Sequence, residues 1–290
     1  MEAQAQPTLK RRKGSADGRV LPDPVPPIAS SESSVNWDAF HAHEYWKANY
    51  AFMRADDRLF LERLRDFFGG EASAATSGDG PRLGVDVGSG ANLYPALSML
   101  PLCDKITLWE YGAQNCEWLA AEVRRYSNHW DPYWRTLREH KAYEVLGSRD
   151  VRRRLARTAV VHPGSLFDLP EKEFHVGTMF FVAESITSSE DEFQSAVKSF
   201  MASLKPGAPF AAAFMRNSTG YKVNDREFPA VEIDEGGIGD FLQESAADFR
   251  LSTVDTRGRS LNPDERLEAG STRRLRHGYD GMILALGHRA

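Results

Sequence analysis

The chain has 290 residues, 36 Lys and Arg against 41 Asp and Glu, a formal net charge of −5 and 41% hydrophobic residues, a composition that suits one large α/β domain with a tail. Its two cysteines, Cys103 and Cys116, exclude a disulfide framework, and with no ligand partner near either in sequence no metal site is expected. Strand-sized apolar runs exclude a membrane span, the mildly acidic balance argues against a general nucleic-acid partner, and a cytoplasmic monomer is the expected state.

Residues 1 to 33 read as a disordered tail: a basic cluster, Lys10–Lys13, then Pro22, Pro24, Pro26 and Pro27 and a serine cluster, with little apolar surface to offset ordering entropy. From Trp37 to Phe68 the chain turns aromatic and helical, with Trp37, Phe40, Tyr45, Trp46, Tyr50, Phe52 and Met53 close together. Asp56 or Asp57 is expected to cap a second helix that ends at Gly69-Gly70, so residues 34–70 predict an N-terminal helical cap. A flexible Ala/Ser/Gly-rich connection follows, and residues 83–290 form the core.

There the spacing predicts strands at Leu83–Val87, Lys105–Trp109, Thr158–His162, Val176–Phe181, Ala208–Phe214, Phe249–Val254 and Gly281–Leu286. Helices are expected around Tyr94–Leu100, Ala113–Tyr126, 131–157, Glu190–Leu204 and Ile238–Ala247. Alternation of strand and helix means a Rossmann-like, mostly parallel, doubly wound sheet of seven strands. No helix separates the last two strands, so the final one is expected to run antiparallel beside its predecessor.

The chemistry concentrates where the first strand ends, at Asp86-Val87-Gly88-Ser89-Gly90. Ligands in such sheets lie beyond the carboxyl ends of the strands. Gly88 and Gly90 permit a tight turn and close backbone approach. A nicotinamide fingerprint would place a third glycine at position 93, where this chain has Leu93, so the loop suits a nucleoside with an amino-acid tail better than a pyrophosphate. Glu110, about twenty residues on at the end of the second strand, stands where a carboxylate accepts ribose hydroxyls. Together these features favour S-adenosyl-L-methionine over NAD, against the plainer reading of a glycine turn beside a solvated acid.

Four blocks then converge. Asp86–Tyr94, Ile106–Tyr111, Gln114-Asn115 and the upstream Tyr45…Tyr50, with Asn128–Asp131 beside them, resemble the nicotinamide, phenylethanolamine and indolethylamine (thioether) N-methyltransferase family from about residue 36 to the C-terminus. The resemblance implies that Tyr45 and Tyr50 close over the cofactor, Gly88, Ser89 and Gly90 lie along its methionine portion, Tyr94 reaches its carboxylate, and Glu110, Tyr111 and Asn115 hold the ribose side. Phe180 is expected to touch the cofactor and, with Phe181 and Phe214, to wall an apolar pocket. The family's adenine-reading acid is replaced by Gly164-Ser165. Glu184 falls where the family has a carboxylate facing the acceptor, and Tyr50 would help exclude water. Phe181, Phe214 and His277 occupy other acceptor positions, the last two in place of acids. Inward-turned members of the set Arg257, Arg259, Arg273, Arg274 and Arg276 would instead suit an anionic acceptor.

The expected activity is methyl transfer from S-adenosylmethionine to a small molecule, with nitrogen as the expected acceptor atom and Glu184 orienting or deprotonating it. The alternatives are a cofactor-binding protein without turnover, an O-, S- or C-methyltransferase acting on an anionic small molecule, and a nicotinamide-dependent oxidoreductase.

Overall fold

The computed structural model describes residues 35–37, 40–74, 80–147, 150–223, 226–256 and 278–290. Two helices, α1 (Ala42–Asn49) and α2 (Ala55–Ala74), precede an alternating array. In chain order this runs β1 (Leu83–Val87), α3 (Tyr94–Met99), β2 (Lys105–Glu110), α4 (Ala113–Arg125), α5 (Asp131–Leu137), α6 (Lys141–Glu144), α7 (Asp150–Thr158), β3 (Ala159–Pro163) and β4 (Val176–Phe180). It continues with α8 (Glu190–Ser203), β5 (Pro209–Arg216), β6 (Tyr221–Val223), β7 (Arg226–Phe228), α9 (Glu235–Gln243), β8 (Ala246–Asp255) and β9 (Gly281–Arg289).

Seven strands form one sheet in the order β3-β2-β1-β4-β5-β9-β8. The first five are parallel, and β9 inserts antiparallel between β5 and β8. The strand order reverses between β1 and β4, which opens a crevice beyond their carboxyl ends. Strand alternation divides the apolar residues between two core layers. Along β5, Ala211, Ala213 and Met215 join the layer beneath α2, α3 and α5, while Phe210, Ala212 and Phe214 join the layer beneath α8 and α9.

Two local features depart from expectation. Helix α2 runs on through Gly69-Gly70 to Ala74. A side chain at Gly69 would overlap the His140 imidazole, so this glycine serves close packing against the α5–α6 turn and does not stop the helix. The hairpin β6–β7 has no counterpart in the predicted elements, because two three-residue strands carry too few residues for a period to register. The hairpin packs against the N-terminal segment: Phe228 stacks on Trp37 at 5.5 Å and meets Phe40 edge-on at 5.5 Å. With Val223 these rings make a small third cluster, apart from both core layers, over the crevice.

Candidate active site

The crevice is a cavity of about 820 Å³, a size that takes a nucleoside-sized ligand together with a small molecule. Its floor is the turn after β1. Gly88 and Gly90 adopt φ of +60° and +54°, a region costly for any side chain, and a Cβ on Gly88 would collide with Val182. The turn is tied to β2 by two bonds: Gly88 N donates to the Trp109 carbonyl at 2.7 Å, and Gly90 N donates to Glu110 Oε2 at 2.8 Å. Glu110 Oε1 accepts from Gly112 N at 2.8 Å and Asn115 Nδ2 at 3.2 Å. A carboxylate has about four acceptor positions, and these donors take at least three, the Asn115 contact being the longest. Burial raises the Glu110 carboxyl, against the pull of these donors.

Asp86 also lines the cavity and is almost wholly buried. Its Oδ1 accepts from Thr178 Oγ1 at 2.7 Å, whereas Oδ2 has no hydrogen-bond partner among the described residues. Burial pushes this carboxyl up to about 7. Asn115 Oδ1 is likewise buried without a partner. Two unsatisfied acceptors near the glycine turn of one cavity are costly unless a ligand donates to them. Both suit an ammonium or amine donor, which the amino acid and adenine of S-adenosylmethionine possess. The residues present therefore fit that cofactor.

Tyr45, Tyr50, Gly88, Ser89, Gly90, Glu110, Tyr111, Asn115, Gly164, Phe180 and Phe181 all line the cavity. Ser89 Oγ donates back to the Asp86 carbonyl at 2.9 Å, which fixes the turn. Phe181 is held at φ +59°, a strained conformation for an aromatic residue, with its N–H donating to the Ala213 carbonyl at 2.7 Å and its ring stacked on Phe60 at 6.3 Å. Tyr50 is nearly buried, and its ring meets Tyr45 and Tyr94 at 6.0 Å each.

Four expected site residues are absent from the cavity lining. Tyr94 is fully buried, stacked on Tyr133 at 5.7 Å behind Tyr50 and Phe180. The Ser165 hydroxyl accepts from Phe167 N at 3.1 Å and so caps a 3-10 turn, while its carbonyl accepts from Trp109 Nε1 at 2.8 Å. Glu184 is fully buried: Oε1 accepts from Met215 N at 2.8 Å, and Oε2 has no partner among the described residues. Burial pushes its carboxyl up to about 8. Phe214 lies in the opposite core layer, edge-on to Phe193 at 6.0 Å, because its neighbour Met215 takes the cavity-facing position on β5. His277 and the five arginines expected near it lie outside the described residues, as does the tail.

Asp86 was visible in the turn motif without a role, and the cavity adds Trp37, Phe40, Arg54, Met215, Tyr221, Phe228 and Tyr279 to its wall. Only the aromatic density before residue 53 pointed toward the first two. Among the described lining residues the charged side chains are Asp86, Glu110, Arg54, Lys222 and Glu227. Lys222 and Glu227 form an exposed pair on the hairpin at 2.9 Å.

A family model described as the NNMT/PNMT/TEMT family matches residues 31–264. No curated protein matches the sequence. Among solved structures, the N-methyltransferase NodS from Bradyrhizobium japonicum WM9, in complex with S-adenosyl-L-homocysteine, superposes with a TM-score of 0.52 at 12% identity, covering 90% of this chain and 98% of that one. The DhpI–SAH complex gives 0.50 at 13% identity over 89% and 95% of the two chains. The DhpI–SAM–HEP complex gives 0.50 at 14% identity over 88% and 95%. These distant likenesses share the fold, and the family match spans most of the sequence. The chain belongs to the NNMT/PNMT/TEMT family of S-adenosylmethionine-dependent methyltransferases.

Proposed function

We propose that the chain methylates a small acceptor at a nitrogen that is uncharged at neutral pH, such as a heteroaromatic ring nitrogen. The observation carrying this reading is the charge distribution of the cavity. Asp86 and Glu110 stand at the glycine turn, where the cofactor belongs. The acceptor end is walled by Phe181, Met215, Tyr221 and Tyr279, and Glu184 keeps its carboxyl behind that wall on Met215 N. A protonated amine there would be desolvated with no facing carboxylate, a cost of several kcal/mol. A neutral lone pair meets no such penalty and needs no base.

The bound cofactor supplies an activated methyl group on a sulfonium. The Asp86 carboxylate would receive the ammonium, and Glu110 would hold a ribose hydroxyl by giving up the 3.2 Å Asn115 contact. Phe180 and Tyr50 offer aromatic faces to the sulfonium, worth about 0.5–2 kcal/mol. Holding the acceptor in line can supply up to about 7–11 kcal/mol of the barrier. Glu184 serves as a positioning residue: it fixes Met215, and with it the acceptor wall, and takes no proton.

Incubation with S-adenosylmethionine and a panel of pyridine-type nitrogens, primary amines and thioethers, read by mass spectrometry, tests the proposal. Methylation of the ring nitrogens in preference to the amines supports it. Preference for amines overturns it, and binding of S-adenosylhomocysteine with no product from any acceptor favours a cofactor-binding protein without turnover.

A further inference from the structure

Met215 on β5 and Tyr279 just before β9 both line the cavity, and the residue after each is charged: Arg216 and Asp280. Neither charged residue belongs to the lining. Strand alternation turns Arg216 to the opposite face of β5 from Met215, toward α9. There Arg216 Nε donates to Asp280 Oδ1 at 2.9 Å and Nη2 to the Asp280 carbonyl at 3.4 Å, while Asp280 N donates back to the Arg216 carbonyl at 3.2 Å. The guanidinium lies across Gly281, its register partner on β9, where a Cβ would stand 3.0 Å from it. Its Nη1 reaches Glu235 Oε1 of α9 at 3.4 Å, and that oxygen accepts from Thr253 Oγ1 of β8 at 2.6 Å. One arginine thus spans the rim of β5, β9 and β8.

The Asp280 carboxylate also holds the turn that leaves β5. Asn217 adopts φ +50° there, its Nδ2 donates to Asp280 Oδ2 at 3.3 Å, and its backbone N–H donates to the Ile233 carbonyl at 2.9 Å. From this turn the chain runs into Thr219, Gly220 and Tyr221, all on the cavity wall, and Thr219 N donates to the Gly278 carbonyl at 3.3 Å. Asp280 therefore ties Met215, the 219–221 stretch and Tyr279 to one another. The Arg216 and Asp280 side chains are only 17% and 20% exposed, which sets them apart from the solvent-screened surface pairs that contribute almost nothing.

We propose that Asp280, through its bonds to Arg216 and Asn217, is the positioning residue of the acceptor wall. It acts from outside the cavity by holding three wall segments in one register, and an error of about 1 Å in how a ligand is seated costs turnover by up to about 100-fold. Glu184 fixes Met215 from the β4 side, and the Arg216–Asp280 pair fixes it from the β9 side. This role rests on the reading of Met215, Tyr221 and Tyr279 as the acceptor end.

Steady-state kinetics of the full chain, with S-adenosylmethionine and the best acceptor from the panel above, tests this alongside calorimetric titration with S-adenosylhomocysteine. Asp280→Ala should lower acceptor kcat/KM by about 10- to 100-fold while S-adenosylhomocysteine affinity stays within about two-fold. Asp280→Asn, which keeps an oxygen for Arg216 Nε, should recover part of the loss. Arg216→Met should also lower acceptor kcat/KM, and the double variant should lose no more than Asp280→Ala alone, because the two side chains act as one unit. Unchanged acceptor kcat/KM in Asp280→Ala overturns the assignment. So does a matching loss of S-adenosylhomocysteine affinity, which marks a general loosening of the fold, or fully additive losses in the double variant. Should Asp280→Ala fail to fold, Asp280→Asn and Arg216→Lys go through the same two assays: a loss confined to the acceptor supports the role, and no loss overturns it. An unsubstituted protein that binds S-adenosylhomocysteine and methylates no acceptor removes the acceptor reading and this role together, an outcome distinct from a variant that keeps its turnover.

Discussion

Asp86 lies one residue before the end of β1 and Glu184 four residues beyond the end of its parallel neighbour β4, and burial raises both carboxyls, yet they face different fates. Asp86 lines the cavity with Oδ2 unpartnered, so an incoming ammonium would find a carboxyl that is partly protonated near neutrality, its value pushed up to about 7. The ammonium favours the ionised form and must expel that proton. Binding of S-adenosylhomocysteine should therefore release protons and strengthen as pH rises through about 7. Calorimetry in buffers of different ionisation enthalpy reads the release, and Asp86→Asn should abolish most of it. Glu184, by contrast, is committed to Met215 N and, with its carboxyl near 8, stays mostly neutral at physiological pH. Glu184→Gln keeps an acceptor for that N–H and should retain kcat within a few-fold. Glu184→Ala leaves a buried donor unpaired and should cost about 1–3 kcal/mol of stability. A folded Glu184→Gln protein that loses turnover by orders of magnitude would make Glu184 the proton acceptor instead.

The cap works as an element because Trp46 fastens α1 to the segment after α4. Trp46 Nε1 donates to His129 Nε2 at 2.8 Å, with the rings 4.6 Å apart, and Glu122 behind them accepts from Trp130 Nε1 at 2.9 Å and Ser127 N at 2.7 Å. To accept from Trp46, His129 must be neutral with its proton on Nδ1, and burial lowers its pKa below the ordinary 6.5. A depressed histidine stabilises the fold at higher pH and loses that contribution as pH falls through 6.5 and then the lower folded value. Acidification should thus loosen α1, seen as lower hydrogen-exchange protection factors over residues 42–49 once the intrinsic pH dependence of exchange is divided out. Trp46→Phe should mimic the loosening at neutral pH, at a cost of about 0.5–1.5 kcal/mol, with weaker S-adenosylhomocysteine binding because Tyr45 and Tyr50 ride on this element. Protection in the variant that still falls on acidification, as in the unsubstituted protein, would sever the link to His129.

At the scale of the whole molecule, the sheet and its alternating helices were legible because each strand from β1 to β5 carries its own apolar run and each helix its own period. The antiparallel β9 followed from the missing helix before it. The glycine-turn half of the cavity was legible for the same reason: Gly88, Gly90, Glu110 and Asn115 lie in contiguous motifs whose backbone turn places them on its wall. The acceptor half was not. Whether Phe214 or Met215 faces the cavity depends on a one-residue phase in β5, and whether the Tyr94 ring lines the cavity or stacks on Tyr133 depends on how α3 and α5 pack, which no local pattern encodes. What the assembled molecule adds is a concentration of buried acids, Asp86, Glu110 and Glu184, around one crevice, all raised by burial. An acid whose folded pKa lies above its unfolded value stabilises the fold fully below the unfolded value, and that contribution is lost as pH climbs toward the folded one. For Glu184 the window runs from the ordinary 4.5 to about 8, and for Asp86 from 3.8 to about 7. The ligand-free protein should therefore lose Tm as pH rises across these windows, and Glu184→Gln should flatten the slope. Saturating S-adenosylhomocysteine acts in the opposite sense, adding about 2.7 kcal/mol at a hundred times Kd and favouring ionised Asp86, so the ligand-induced rise in Tm should grow with pH over the range in which the free protein weakens. A ligand shift that is constant across that range would mean that Asp86 keeps its proton in the complex and does not meet the ammonium.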